Sequence, residues 1–141
     1  MKKIIELTRR ERFAASHRLH SKQLSDDENE KVYGICNNLH GHGHNYELFV
    51  TIKSEVDPIT GMIINLKDLK KIIRENVIHK FDHKHLDLDC DEFKEIPSTV
   101  ENISIVIWEL LEPHLNGQLY KIKLNETENN YASYYGPSTN S

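Results

Sequence analysis

The stretch His42-Gly-His-Asn-Tyr-Glu-Leu-Phe-Val-Thr-Ile-Lys-Ser-Glu-Val56 decides the fold of this chain. From Tyr46 to Lys53 most side chains alternate between apolar and polar with a period of two, which is the period of a β-strand. We therefore predict a long strand with one buried face, ended by Asp57-Pro58. The alternating residues are Tyr46, Leu48, Val50 and Ile52 on the apolar face, with Glu47, Thr51 and Lys53 on the polar face.

Three other segments also have the character of strands. Ile4 to Ser16 mixes apolar and charged residues and leads directly into His17. Tyr120 to Leu124 alternates apolar residues with lysines, and Tyr131 to Tyr135 can pair with it across a polar turn at Asn129-Asn130. Together with the central strand, these segments predict a sheet of four strands.

Two amphipathic helices are predicted between the second and the third strand. Asn65 can cap the first helix, in which apolar residues recur every three to four positions from Leu66 to Val77. Ser98-Thr-Val-Glu101 has the form of a capping box that opens the second helix. In contrast, Ser21 to Lys31 is polar and lacks apolar periodicity, so we predict a surface loop there.

The order strand, strand, helix, helix, strand, strand predicts an α+β fold, with a mainly antiparallel sheet and both helices on one of its faces. A chain of 141 residues, 38% of them apolar, has the size of one domain, which we assign to residues 1–141 with about 136–141 as a loose tail. Four strands leave two open edges, and open edges pair readily with another chain. We therefore expect oligomerisation to complete the sheet.

Charge and hydropathy argue against several classes of partner. The formal net charge of -4 provides no basic excess for binding nucleic acid. No apolar run approaches the roughly 20 residues that cross a bilayer, and the start of the chain lacks the apolar region of a signal peptide. We expect a cytoplasmic protein with a small-molecule substrate and with no nucleic-acid or membrane partner.

Histidines provide the strongest functional signal, with nine in the chain. His42 and His44 are two positions apart on the predicted strand, so their side chains leave the same face with Cα atoms roughly 6.6 Å apart. Catalytic zinc typically takes three protein ligands and keeps a fourth position for water or substrate. His17, at the end of the first strand, is the candidate third ligand. The alternative for the His-Gly-His pair is a chance surface feature.

Cys36 lies six residues before His42, and it is one of only two cysteines in the chain. In a reducing compartment both cysteines are expected to be free thiols. A nearby metal or cation favours the thiolate, so Cys36 is a candidate for either a catalytic base or a fourth zinc ligand. Cys90 stands in an acidic stretch, and we predict no functional role for it.

Acidic residues at two further places are candidates for catalysis or binding. Asp82-His83 pairs an acid with an imidazole at a predicted helix end, which suits proton transfer; the alternative is a solvated helix C-cap. Glu126 follows Tyr120, Ile122 and Leu124 at the same two-residue spacing, so a carboxylate occupies a position on the predicted buried face of the strand. It is either solvated at the strand end or bonded to N–H groups of a ligand.

Seven short motifs occur together along the chain. They are Phe13-Ala-Ala-Ser-His-Arg-Leu19, Cys36-Asn-Asn38, Gly41-His-Gly-His-Asn-Tyr46, Asn65-Leu-Lys-Asp-Leu-Lys70, Asp82-His-Lys84, Ser98-Thr-Val-Glu-Asn102 and Glu126-Thr127. With these motifs, the sequence resembles the 6-pyruvoyl-tetrahydropterin synthase family over nearly its whole length.

The resemblance implies a tunnelling fold, in which trimers close a barrel and two trimers stack into a hexamer. It implies a lyase of tetrahydrobiopterin biosynthesis that converts 7,8-dihydroneopterin triphosphate into 6-pyruvoyl-tetrahydropterin and eliminates triphosphate. One Zn²⁺ per subunit is implied, and Mg²⁺ can accompany the substrate triphosphate. The implied site residues are the zinc ligands His17, His42 and His44, the catalytic residues Cys36, Asp82, His83 and Glu126, and the substrate-binding residues Glu126, Thr99 and Glu101.

Three other functions compete with this interpretation. Relatives that form 6-carboxy-tetrahydropterin for queuosine biosynthesis share the zinc histidines and the cysteine, and Leu39-His40 resembles that branch. In contrast, Cys36-Asn-Asn38 and the Glu126-Thr-x-Asn-Asn130 ending resemble the pyruvoyl branch. A non-catalytic zinc-binding or pterin-binding module would instead close the metal site with Cys36 as a fourth ligand. A zinc hydrolase would need a motif such as His-Glu-x-x-His, which the sequence lacks.

Overall fold

A single sheet forms the centre of the computed structural model, which describes residues 2–138. Its strands are β1 (Ile4–His17), β2 (His42–Glu55), β3 (Lys84–His85), β4 (Leu119–Asn125) and β5 (Tyr131–Tyr134). The spatial order is β3-β1-β2-β4-β5, and every pairing is antiparallel except that of β3 with β1. All four predicted strands are confirmed, and the two-residue β3 was not predicted.

Helices follow β1, β2 and β3. They are α1 (Asp26–Tyr33), α2 (Leu66–Ile73), α3 (Leu86–Asp89) and α4 (Val100–Leu111), with 3-10 turns at Gly34–Asn37, Asp91–Phe93 and Glu112–His114. A π-helical segment, Arg74–Ile78, continues α2 and passes into a last turn at His79–Phe81. Among residues 2–138, no helix has the length and apolar character needed to cross a bilayer.

The hydrophobic core lies between the apolar face of β2 and the apolar stripes of α2 and α4. The register of β1 with β2 sets Phe13 opposite Tyr46, and their rings stack with centroids 4.9 Å apart. Full burial of a large apolar side chain stabilises a fold by roughly 1.5–3 kcal/mol, so this face decides the orientation of the strand. The predicted apolar face is confirmed, because Tyr46, Leu48, Val50 and Ile52 are all fully buried.

Two polar residues are buried next to this core and have their own partners. Glu11 is 7% exposed, and its carboxylate pairs with Arg9 at 2.8 Å and with Arg74 at 2.7 Å. Since Arg74 opens the π-helical segment, this ion pair ties that segment to β1. Thr51, predicted on the polar face, is also buried, and its hydroxyl shares a 2.7 Å hydrogen bond with that of Thr8.

Helix α1 contradicts the loop that we predicted for Ser21 to Lys31. Ser25 and Glu28 form a reciprocal capping box that begins the helix at Asp26. Asn29 is fully buried, and its amide donates hydrogen bonds to three backbone carbonyls before it in the chain. Capping hydrogen bonds and one buried asparagine stabilise this helix, and neither produces an apolar stripe. Hydrophobic periodicity therefore could not predict it.

The predicted loose tail at 136–141 lies partly outside the described residues, which end at 138. Gly136, inside the described part, lies against Trp108. Its backbone lies so close to the Trp108 ring that an added Cβ would stand 2.5 Å from that ring.

Candidate metal centre and active site

The pairing of β1 with β2 brings three histidines together at one end of the sheet. His17 is directly opposite His42, and His44 follows two positions later on the same face. The Nε2 atoms of His17 and His42 are 3.1 Å apart, and one ring nitrogen of each of the three residues lies within 4.8 Å of the others. Two nitrogens on one tetrahedral zinc ion are roughly 3.3 Å apart, since each Zn–N bond is about 2.0 Å. The three imidazoles therefore match the predicted zinc ligands in geometry.

A backbone carbonyl fixes the protonation of His17. Its Nδ1 lies 2.7 Å from the carbonyl oxygen of Ser98, and a carbonyl can only accept a hydrogen bond. Nδ1 therefore carries the proton, and Nε2 presents its lone pair to the cluster. Burial of the ring lowers the pKa of His17 to about 4, so that the imidazole is neutral at pH 7. The neutral imidazole is the form that binds metals.

An unsatisfied nitrogen supports metal binding at this cluster. His44 Nε2 is buried and has no hydrogen-bond partner among the described residues. Buried polar atoms are nearly always bonded, so this nitrogen calls for a partner from outside the chain. A zinc ion with three nitrogen ligands would satisfy it. Cys36 does not belong to the cluster, so the geometry gives no support to a fourth protein ligand on its thiol.

Glu126 lies next to the metal cluster. One carboxylate oxygen is 3.8 Å from His17 Nε2, and the side chain is 20% exposed. Together with Glu101, it lines a depression of about 650 Å³ that runs along β5. Carboxylates accept strong hydrogen bonds from N–H groups, so the depression suits a ligand with several such donors. The lining is completed by Val100 and by residues 129–133.

Asp82 and His83 are held at the edge of β1. Asp82 accepts a 2.9 Å hydrogen bond from the Ala14 amide, and the His83 amide donates a 2.6 Å bond to the Ala14 carbonyl. The Ala14 bond and the 2.9 Å contact with His83 lower the pKa of Asp82. His83 has a φ of 63° and a side chain that is 84% exposed. The pair thus presents an oriented imidazole to the surroundings of the chain.

Cys36 occupies the 3-10 turn Gly34–Asn37 and is half-buried. Its carbonyl accepts a 2.9 Å hydrogen bond from the Leu19 amide. Within residues 2–138, no hydrogen bond or ion pair links its thiol to Asp82, to His83 or to the three metal histidines. A single chain therefore brings the histidines and Glu126 together, whereas no hydrogen bond between described residues joins the Cys36 thiol to the Asp82-His83 pair.

Residues 6–137 match a family described as 6-pyruvoyl tetrahydropterin synthase. The chain belongs to this family. It is 51% identical to 6-pyruvoyl tetrahydrobiopterin synthase of Homo sapiens, across 93% of this chain and 91% of that protein. The solved structure of Caenorhabditis elegans 6-pyruvoyl tetrahydropterin synthase superposes with a TM-score of 0.93 at 42% identity, covering 96% of this chain and 98% of that one. A 6-carboxy-5,6,7,8-tetrahydropterin synthase of Bacillus subtilis is 26% identical, over 72% of this chain and 70% of that protein.

Membership of the 6-pyruvoyl tetrahydropterin synthase family confirms the predicted α+β tunnelling fold of the subunit. Closure of such subunits into an oligomeric barrel is a property of an assembly and stays a prediction. The cap of α4 differs from the sequence prediction. Thr99, not Ser98, caps α4, because its hydroxyl accepts a 3.2 Å hydrogen bond from the Asn102 amide. The Thr99 hydroxyl therefore has a structural role in capping α4, in addition to the predicted contact with a pterin.

Two residues of the site escaped the sequence analysis. Ser98 orients His17 through a backbone carbonyl, which no side-chain motif reports. Asn37, next to Cys36, bonds to the segment after His17, and only its place in Cys36-Asn-Asn38 pointed to it. Cys90 is buried, its thiol donates to the Lys80 carbonyl at 3.7 Å, and burial raises its pKa to about 11.

Acid should destabilise the metal-free protein through His17. The folded state lowers the pKa of this residue from 6.5 to about 4, so below pH 6.5 the unfolded chain takes up a proton that the folded chain does not. The free energy of unfolding should therefore fall by on the order of 3 kcal/mol between pH 6.5 and pH 4 through His17 alone. Urea unfolding of the wild type and of His17→Gln at several pH values measures this difference. Parallel pH profiles for the two proteins would contradict it.

Proposed function

We propose that this chain is a zinc-dependent lyase that converts 7,8-dihydroneopterin triphosphate into 6-pyruvoyl-tetrahydropterin with elimination of triphosphate. The observation that carries the proposal is the three-histidine cluster with the Glu126 carboxylate 3.8 Å from one of its nitrogens. It is supported by the 51% identity to a protein named 6-pyruvoyl tetrahydrobiopterin synthase.

Glu126 and Glu101 bind and orient the pterin in this proposal. The ring N–H and amino groups donate hydrogen bonds to a carboxylate, and a charge-assisted pair of this kind fixes both position and angle. Because Glu126 borders the histidine cluster, a ring held there directs its C6 side chain toward His17, His42 and His44. Zinc bound at these histidines would act as a Lewis acid toward the side-chain hydroxyl groups and so acidify the adjacent C–H bonds. Fixed orientation of this kind accelerates a reaction on its own.

Cys36 is the proposed base that removes a proton from the substrate side chain. Asp82 and His83 return a proton in the same rearrangement, with Asp82 orienting the imidazole through their 2.9 Å contact. The sum of these steps is a loss of triphosphate and an internal rearrangement, so neither an oxidant nor a nicotinamide takes part. No hydrogen bond joins Cys36 to His83 within residues 2–138, and in this proposal the complete site includes a neighbouring subunit.

The proposed assembly is a homohexamer built from two trimers. Most of β1 has no partner on the side of the short β3, and β5 forms the opposite edge of the sheet. Edges of this kind pair with another copy of the chain, which would set the Asp82-His83 pair of one subunit at the border of the next. Mg²⁺ bound to the triphosphate and a location in the cytoplasm belong to the same proposal.

Formation of 6-carboxy-tetrahydropterin is the second candidate, and Leu39-His40 is the observation that favours it. The identity of 26% to a protein of that name, against 51% to one of the pyruvoyl name, makes it the weaker one. Incubation with 7,8-dihydroneopterin triphosphate and Mg²⁺, followed by mass analysis of the pterin, decides between them. A pyruvoyl product supports the proposal, and a carboxy product with acetaldehyde supports the second candidate. Unchanged substrate would favour a non-catalytic binding module.

A further inference from the structure

Apolar packing does little to hold the turn that carries Cys36. None of the residues Gly34–Asn37 is buried, and Ile35 is 90% exposed. A catalytic base must nevertheless keep a fixed place relative to its substrate, because a misplacement of about 1 Å can lower a rate by about 100-fold. Within one chain, hydrogen bonds must therefore provide most of the order in this turn.

Asn37 is the centre of those hydrogen bonds. Its carbonyl accepts from Arg18 Nε at 2.9 Å, and its side-chain oxygen is 3.3 Å from Arg18 Nη2. Its side-chain amide donates to the Leu19 carbonyl at 2.7 Å and to His20 Nδ1 at 3.0 Å. All four contacts reach residues 18–20, and the Leu19 amide adds the bond to the Cys36 carbonyl. One asparagine thus joins the cysteine turn to a single short segment.

That segment follows directly after the metal histidine His17. Its start is fixed separately, because the Arg18 amide donates a 2.7 Å hydrogen bond to the Asp87 carboxylate. On the far side of the turn, the Gly41 amide donates to the Asn38 carbonyl at 2.9 Å, one residue before His42. The cysteine turn is therefore linked at both of its ends to chain segments that carry metal histidines.

We infer that Asn37 and Arg18 are positioning residues that hold Cys36 in place relative to the metal histidines. The inference rests on the proposed role of Cys36 as the base, because a fixed thiol matters to turnover only if the thiol reacts. Neither residue needs to touch the substrate to act in this way. Both lie outside the hydrophobic core, so we expect the fold to persist when their side chains are shortened.

The test compares Asn37→Ala and Arg18→Ala with Asn38→Ala as the matched control. Asn38 is the next residue, is exposed, and has a side-chain amide with a single long contact of 3.5 Å, to the Gly41 carbonyl. Asn37→Ala should lower kcat about 100-fold with KM within about threefold of wild type, because the bound substrate is unchanged while the base is misplaced. Zinc content and the thermal midpoint should stay at the wild-type values. The double variant should be slower than either single variant but by less than the product of the two effects, since the 3.3 Å contact between the two side chains is the one that both substitutions remove.

Two readouts are independent of turnover. Hydrogen exchange of the Leu19 amide should become at least about tenfold faster in Asn37→Ala, because this amide is protected by the Cys36 carbonyl. The rate of alkylation of Cys36 by iodoacetamide should change in the same variant, with the buried Cys90 as an internal reference. Asn38→Ala should match the wild type in both measurements.

Other results would overturn the inference. Wild-type kcat together with wild-type exchange in Asn37→Ala would show that the contacts do not hold the turn. Loss of zinc or of stability in that variant would show a general structural role instead. If the wild type itself does not convert the pterin triphosphate, the proposed function fails, and exchange at Leu19 still decides whether Asn37 holds the turn.

Discussion

Replacement of Cys36 by alanine should reduce turnover of 7,8-dihydroneopterin triphosphate by at least about a thousandfold while zinc content and assembly stay unchanged. Alanine has no group that can accept a proton, so the step assigned to the thiol loses its base. Zinc should remain because the three histidine nitrogens form their cluster without Cys36. Single-turnover kinetics, with zinc measured by atomic emission on the same sample, test both halves of this expectation.

Cys90→Ala is the matched control for that experiment. The Cys90 thiol is buried and bonded to the Lys80 carbonyl, away from the metal cluster. This variant should therefore keep wild-type turnover, with a modest loss of stability from the missing sulfur. A loss of zinc in Cys36→Ala would instead identify the thiol as a ligand, and it would favour the binding module over the enzyme.

Replacement of His42 by alanine should empty the metal site. His42 Nε2 lies 3.1 Å from its neighbour on His17, so its removal leaves two of the three nitrogens that can share one ion. We expect zinc affinity to fall by more than about 100-fold and turnover to be lost with it. The ring is only half-buried and lies outside the hydrophobic core, so the fold should persist. Zinc per subunit after dialysis, together with thermal unfolding, measures these effects.

His40→Ala separates this effect from a general sensitivity of the loop. His40 is exposed, lies two residues before His42 and does not belong to the cluster. Its replacement should leave zinc content at the wild-type level. Full zinc occupancy in His42→Ala would show that the metal binds elsewhere in the protein.

The sequence predicted those parts of the fold that depend on periodic burial. The alternation from Tyr46 to Ile52 identified β2, and the end of the first strand at His17 brought the third histidine to the other two. Helix α1 was missed because its stability comes from Ser25, Glu28 and Asn29, and none of these creates an apolar stripe. The two-residue β3 is too short to have a pattern at all.

The sequence predicted those residues of the candidate site that act through a reactive or charged side chain. Glu126 was a candidate because a carboxylate occupies a position that the alternation of its strand assigns to the apolar face. In the structure it lies beside the histidines. Ser98 acts through its carbonyl, which every residue possesses, so no sequence pattern could single it out. Whether Cys36 and His83 meet depends on how distant parts of the chain pack, and among residues 2–138 no hydrogen bond joins them.

The π-helical segment Arg74–Ile78 has a consequence for the length of the chain between β2 and His83. The hydrogen bonds of a π-turn span five residues instead of four, so the turn holds about one residue more than an α-turn. The flanks of the segment are fixed, by the Glu11 ion pair at Arg74 and by the Ala14 hydrogen bond at Asp82. The additional residue is therefore accommodated between two fixed points, so the wider turn does not displace Asp82 and His83 from the edge of the sheet.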